Sequence, residues 1–238
     1  MVLPSIYTGL MLLLGLLLLF PQKPVDGFEA RTYKTMPYRL FIPPAYDKAR
    51  QYPLIVWLHG AGSVGSDNLK QISGASLRGT HTWIARQVQE KHPAFVLAPQ
   101  SRGGAWDADF PTVLEVLTSI EKEFNINTSR IYVAGQSMGG FGTWYFITER
   151  PDLFAAAIPL CGGGDPMRAS AIAQVPIWAF HGEADPTVPV TESRDMIAAI
   201  RKAGGNPRYT EYKGVGHEVW FKAFQEKELV EWLFAQHK

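Results

Sequence analysis

Ile131-Tyr132-Val133-Ala134-Gly135-Gln136-Ser137-Met138-Gly139-Gly140 is an apolar run that breaks at a glycine, presents one serine and turns at another glycine. The run before Gly135 reads as a buried strand, and the stretch from Met138 to Glu149, stopped by Pro151, reads as a helix. Gly135 and Gly139 bracket Ser137 in the pattern G-x-S-x-G. A strand that turns this sharply into a helix holds the serine in a strained backbone, and side chains at the flanking positions would strike neighbouring main chain. The turn lifts the Ser137 hydroxyl off the sheet, next to a helix N-terminus where the Met138 amide can meet a developing oxyanion. An ordinary strand-to-helix loop with a serine N-cap would share the pentapeptide. The buried strand before it, the helix after it, and Gly140 and Gly142 for close helix packing favour a nucleophile.

Outward from this turn, strands alternate with helices. Phe28–Lys34 and Tyr38–Ile42 read as a short strand pair forming an antiparallel edge. Leu54–Leu58, Phe95–Ala98, Ala155–Leu160 and Ile177–Phe180 are continuous apolar runs suited to strands buried on both faces, and Arg208–Tyr212 reads as the last strand. Helical spacing predicts helices around Trp83–Lys91, Asp109–Phe124, Thr191–Lys202 and Ala223–Gln236. This order implies a mainly parallel twisted α/β sheet covered by helices on both faces. The short connection between Leu160 and Ile177 leaves little room for a cap domain, so an open cleft is expected.

Composition narrows the partners. The chain has 238 residues, 46% apolar and 19% charged, with a formal net charge of +1, so no basic balance points to nucleic acid. Cys161 is the single cysteine, which excludes an internal disulfide and a thiol cluster for zinc and reads as a small core residue. No metal or cofactor motif stands out; His59-Gly60-Ala61-Gly62 lacks the remaining signature of a phosphate loop. From Ile6 to Phe20 the chain is almost wholly apolar, short for a spanning helix but right for the core of an export signal. No basic residue precedes the run, and no clear small-residue cleavage site follows it. Residues 1–27 are expected to be a signal peptide or an uncleaved N-terminal anchor plus linker, and residues 28–238 the catalytic domain. The expected destination is secreted or periplasmic, with membrane contact only through that segment if it is retained. Asn127-Thr128-Ser129 fits a glycosylation sequon, a pattern common by chance.

Serine is a weak nucleophile at its ordinary pKa and needs a general base. Of six histidines, His217 lies in Gly214-Val215-Gly216-His217-Glu218, a loop between the last strand and the last helix. His59 and His181 each precede a glycine at a strand end and are expected to shape loops by hydrogen bonding. Asp185, between strand and Pro186, is the expected acid to orient His217, with Asp165 as its rival one strand earlier; Glu183 reads as a solvated or loop-bracing side chain. Ala61 is expected to supply the second oxyanion amide beside that of Met138. Trp106 and Trp220 are candidates for an acyl pocket, and Asp107 and Asp109 read as helix-start residues.

The segments 53–62, 135–140 and 181–189 (His181-Gly182-Glu183-Ala184-Asp185-Pro186-Thr187-Val188-Pro189) together resemble the polyhydroxybutyrate-depolymerase-like esterases, a group that includes feruloyl and acetylxylan esterases. The resemblance implies the α/β-hydrolase fold, a metal-free serine carboxylesterase with an acyl-enzyme intermediate, and Ser137, Asp185 and His217 as its triad, in that fold's chain order. It leaves the substrate open among small-molecule and polymer-linked esters, and it says nothing of oligomeric state. Peptidase activity with the same triad is the alternative; a non-catalytic binding module is disfavoured because no triad position is lost.

Overall fold

Leu54, Val56 and Leu58 pack into the core on one side of a sheet, and Ile55 and Trp57 into the core on the other. A strand covered on both faces needs no polar alternation, which is why this segment reads as one unbroken apolar run. The computed structural model describes residues 26–238. Its strands are β1 (Phe28–Tyr33), β2 (Met36–Phe41), β3 (Tyr52–Leu58), β4 (Phe95–Pro99), β5 (Ile126–Gln136), β6 (Ala156–Leu160), β7 (Trp178–Gly182) and β8 (Arg208–Tyr212). Its α-helices are α1 (Leu77–Ile84), α2 (Arg86–Lys91), α3 (Trp106–Glu123), α4 (Met138–Glu149), α5 (Thr191–Lys202), α6 (Trp220–Ala223) and α7 (Leu229–Ala235).

All eight strands form one sheet in the order β1-β2-β4-β3-β5-β6-β7-β8. β1 and β2 are antiparallel to their neighbours, as the edge pair predicted, and the remaining pairings are parallel. Val113 and Leu117 of α3, Phe146 and Ile147 of α4 and Ile197 of α5 cover one face. Trp83 of α1, Val88 of α2 and Leu233 and Phe234 of α7 cover the other. Each such side chain contributes roughly 1.5–3 kcal/mol on burial. The chain leaves β3 towards β4 on one side and returns to β5 on the other. The crevice beyond the carboxyl ends of β3 and β5 is therefore the switch point where ligands of such sheets bind.

Three expectations need correction. The helix expected over Trp83–Lys91 is two helices, broken at Ala85, whose ψ of 135° is extended. The Gln89 side-chain amide donates to the Trp83 carbonyl at 2.9 Å and so satisfies a group that a continuing helix would have used. The last helix is divided into α6 and α7, and the Phe224 ring between them turns inward, edge-on to Trp57 and Trp83. β5 begins at Ile126 rather than Ile131, because Ile126 pairs with Tyr52 across a register shift. The connection from Cys161 to Ile177 holds one 3-10 turn (Pro166–Ile172) and no cap. Asp26 reaches His81 at 3.0 Å. Among the described residues no helix is long and apolar enough to cross a membrane; the apolar run 6–20 lies outside them.

Candidate active site

Ser137 stands between β5 and α4 with φ 54° and ψ −118°, a conformation an L residue adopts only under constraint. The constraint is main-chain contact. Its N–H donates to the Leu160 carbonyl at 2.9 Å, and its carbonyl accepts from Phe141 N at 3.0 Å. A Cβ at Gly139 would lie 1.9 Å from the Leu58 carbonyl oxygen, and one at Gly135 2.2 Å from the Gly139 carbonyl oxygen. Both glycines are therefore required by close approach. The Ser137 side chain does not cap α4; it points to His217.

His217 Nε2 lies 2.8 Å from Ser137 Oγ, and His217 Nδ1 lies 2.8 Å from Asp185 Oδ2. A carboxylate oxygen only accepts, so Nδ1 carries the proton, Nε2 is bare, and the Ser137 hydroxyl donates to it. Asp185 Oδ1 accepts from Thr187 N at 2.8 Å and Val188 N at 2.9 Å. Burial would raise this carboxyl, but the Val188 amide, the His217 ring and the Thr187 amide outweigh it and hold Asp185 below its ordinary value. The loops carrying Asp185 and His217 are joined by backbone: Ala184 N donates to Val215 O at 3.0 Å. Glu183 braces them, accepting from Gly214 N at 3.0 Å. Asp165 does not meet His217; it is exposed and accepts from Met167 N at 2.9 Å, capping the 3-10 turn.

His59 and His181 are fully buried. His181 Nδ1 lies 2.7 Å from Ser193 Oγ, and its Nε2 lies 3.0 Å from the Val188 carbonyl and 3.4 Å from Asp185 Oδ2. Burial lowers the pKa of both rings, that of His59 to about 4. Gly60 follows His59 directly, and a Cβ on it would lie 3.5 Å from Ser137 Cβ, so the Gly60–Ala61 peptide lies beside the serine. Among the described residues, no backbone carbonyl takes up the Ala61 amide, and the Met138 amide opens α4 without an intrahelical acceptor.

A cavity of about 510 Å³ opens from Met138, lined by Trp106, Phe141, Trp144, Tyr145 and Arg168 among others. Trp106 is among the lining residues, its indole N–H donating to the His59 carbonyl at 3.0 Å. Trp220 is not. It turns into the core at the start of α6 and meets the His217 ring edge-on, with centroids 5.6 Å apart. Sequence reasoning missed Phe141, Trp144 and Tyr145. Helical spacing was the available signal, because positions four, seven and eight after Ser137 fall on one face of α4. Cys161, Asp185 and His217 bring three potential ligand atoms within 4.8 Å of one another. Two of these residues are bonded to each other, and burial pushes the Cys161 thiol far up, away from thiolate. The set fits a resident metal poorly.

A parallel sheet with its switch point between β3 and β5, a strained serine at the tip of β5, and a histidine and an aspartate on the loops after β8 and β7 define an α/β-hydrolase. The chain belongs to the dienelactone hydrolase family, whose profile matches residues 86–228. It is similar to a thermostable esterase of known structure, with 41% identity and a TM-score of 0.85 over 90% of this chain and 64% of that one. It is 26% identical over 205 residues to a probable feruloyl esterase C of Aspergillus terreus, covering 79% of this chain and 74% of that protein. An uncharacterized secreted protein of Arthroderma benhamiae is 26% identical over 214 residues; these cover 74% of this chain but 22% of that longer protein. The chain thus spans about a fifth of the fungal secreted protein and under two thirds of the thermostable esterase.

Proposed function

We propose that residues 28–238 form a serine carboxylesterase that works through an acyl-enzyme on Ser137. The observation that carries this reading is the unbroken chain Ser137 Oγ–His217–Asp185, with both links at 2.8 Å. As the Ser137 Oγ–carbon bond forms, the hydroxyl proton passes to His217 Nε2 and the carbonyl electron pair moves onto oxygen. The Ala61 and Met138 amides face that oxyanion; losing one such donor typically slows turnover about 10²–10³-fold. Collapse breaks the carbon–oxygen bond to the alcohol, which takes the proton from His217. Water then repeats the sequence against the acyl group, and Asp185 stabilises the imidazolium in both halves.

The aromatic lining of the cavity beside Met138 supports a bulky, flat acyl group over acetate. The feruloyl esterase relatives agree with this. Secretion of one relative supports export of this chain. The test is hydrolysis of p-nitrophenyl acetate, p-nitrophenyl butyrate and methyl ferulate by the wild type and Ser137→Ala. Expected are loss of all three activities in the variant and a higher kcat/KM for the ferulate in the wild type. Activity retained in Ser137→Ala would refute the nucleophile, and a preference for acetate would refute the acyl group.

A further inference from the structure

We infer that His59 is a positioning residue that aims the Ala61 amide at the oxyanion, an inference that rests on the Ser137 reading above. The tautomer follows from its partners. Ser101 N, a donor, lies 3.0 Å from His59 Nε2, so Nε2 is bare. The fully buried ring is neutral, with its pKa lowered by desolvation, and its one proton sits on Nδ1. Nδ1 lies 2.7 Å from the Gly60 carbonyl oxygen and donates to it.

That carbonyl belongs to the same peptide unit as the Ala61 N–H. A trans peptide is planar, with C=O and N–H pointing in opposite directions. Clamping one end therefore fixes the direction of the other. Ser63 N donates to the same Gly60 oxygen at 3.0 Å, so two donors hold it. The ring itself cannot swing, because Trp106 stands edge-on to it at 4.9 Å and donates to the His59 carbonyl at 3.0 Å. The His59 ring is fully buried and does not itself reach substrate; it acts on the reaction through the peptide it orients.

Two variants separate this role from simple loop anchoring. In His59→Asn the side-chain amide can stand where Nδ1 stands and keep the clamp on Gly60, while the bond from Ser101 is lost. In His59→Gln the side-chain amide oxygen reaches the Nε2 position and accepts from Ser101 N, while the clamp is lost. Misdirecting one oxyanion donor should lower kcat by roughly 10–100-fold in His59→Gln. KM should stay within about threefold, since uniform binding is untouched. Affinity for a phenylboronic acid, which forms a tetrahedral adduct on the serine, should fall in step with kcat. His59→Asn should keep kcat within about fivefold of wild type, the rest being lost alignment. The reverse order of the two variants, or boronate affinity that does not follow kcat, overturns the inference. ¹⁵N spectra of ring-labelled wild-type protein need no variant: Nδ1 protonated and Nε2 bare at neutral pH is expected, and the opposite tautomer overturns the clamp. Ser137→Ala run in parallel keeps the two failures apart, because activity surviving there refutes the nucleophile whatever His59 does.

Discussion

His181 Nε2 faces the same Asp185 oxygen that His217 Nδ1 holds, from 3.4 Å against 2.8 Å. Nε2 also faces the Val188 carbonyl, so it carries a proton. Burial keeps the ring neutral, and Asp185 thus has an uncharged donor behind it as well as His217 in front. His181→Leu removes that donor and leaves a buried carbonyl less satisfied, a loss of about 1–3 kcal/mol. Urea denaturation should report this loss, together with a reduced kcat; full stability and full kcat would show the ring to be idle.

Substitution of the two aspartates should separate acid from cap. Asp185→Asn leaves an amide that no longer compels His217 to keep its proton on Nδ1, and kcat should fall by about 10⁴-fold, as it does where a triad acid is so replaced. Asp165→Asn can still accept from Met167 N, and kcat should change less than about threefold, since asparagine caps as well as aspartate does. Steady-state kinetics on one p-nitrophenyl ester decides, and equal losses would contradict the geometry.

Stability should fall on the acid side, with a defined sign. His59 titrates at about 4 when folded against 6.5 ordinarily, so between these values the unfolded chain binds the extra proton. Its contribution is intact above 6.5, is lost as pH falls towards 4 and amounts to about 3 kcal/mol. Asp185 is depressed on folding; its contribution is intact above the ordinary carboxylate value and is lost as pH falls through the lower folded value. Melting temperatures from pH 8 to 4 should decline, and His59→Asn should flatten the upper part of that decline. A parallel decline in the variant would contradict the assignment.

Cys161 is buried, with its thiol held protonated by its surroundings. A thiol reagent should therefore label it only as the chain unfolds, at the rate of unfolding. Rapid labelling of the native protein would place the thiol at the surface.

Phe141 is the exposed aromatic of the cavity wall, 39% accessible, and Tyr145 lies one turn further along α4. Phe141→Ala and Tyr145→Ala should raise KM for methyl ferulate by several-fold and leave that for p-nitrophenyl acetate within about twofold, because a short acyl group buries little area against them. Equal effects on both esters would move acyl recognition elsewhere.

Much of this was legible in residue order. The strand runs, the turn at Gly135–Gly139 and the spacing of Ser137, Asp185 and His217 follow from local chemistry. So does the expectation that His59 and His181 shape loops. The first half of β5 was hidden because Asn127-Thr128-Ser129-Arg130 overhangs the core and is only partly buried. The break at Ala85 depends on Gln89, whose amide also bonds the Ala94 carbonyl, and no periodicity registers a side chain that replaces a helical donor. Trp220 was placed in the pocket by its nearness to His217 along the chain. A single turn of α6 sends it into the core instead.

Glycine main chain packs the Ser137 turn against the loop after β6, and the Asp185 loop against the His217 loop. A Cβ on Gly162 would lie 2.5 Å from the Gly140 carbonyl carbon, and one on Gly182 2.3 Å from the Gly216 carbonyl oxygen. Backbone in such contact has no rotamers to exchange and no side chains to loosen. The arrangement of Ser137, Asp185 and His217 is therefore tied to the sheet and has no melting event of its own. On heating, loss of turnover and loss of strand structure should coincide.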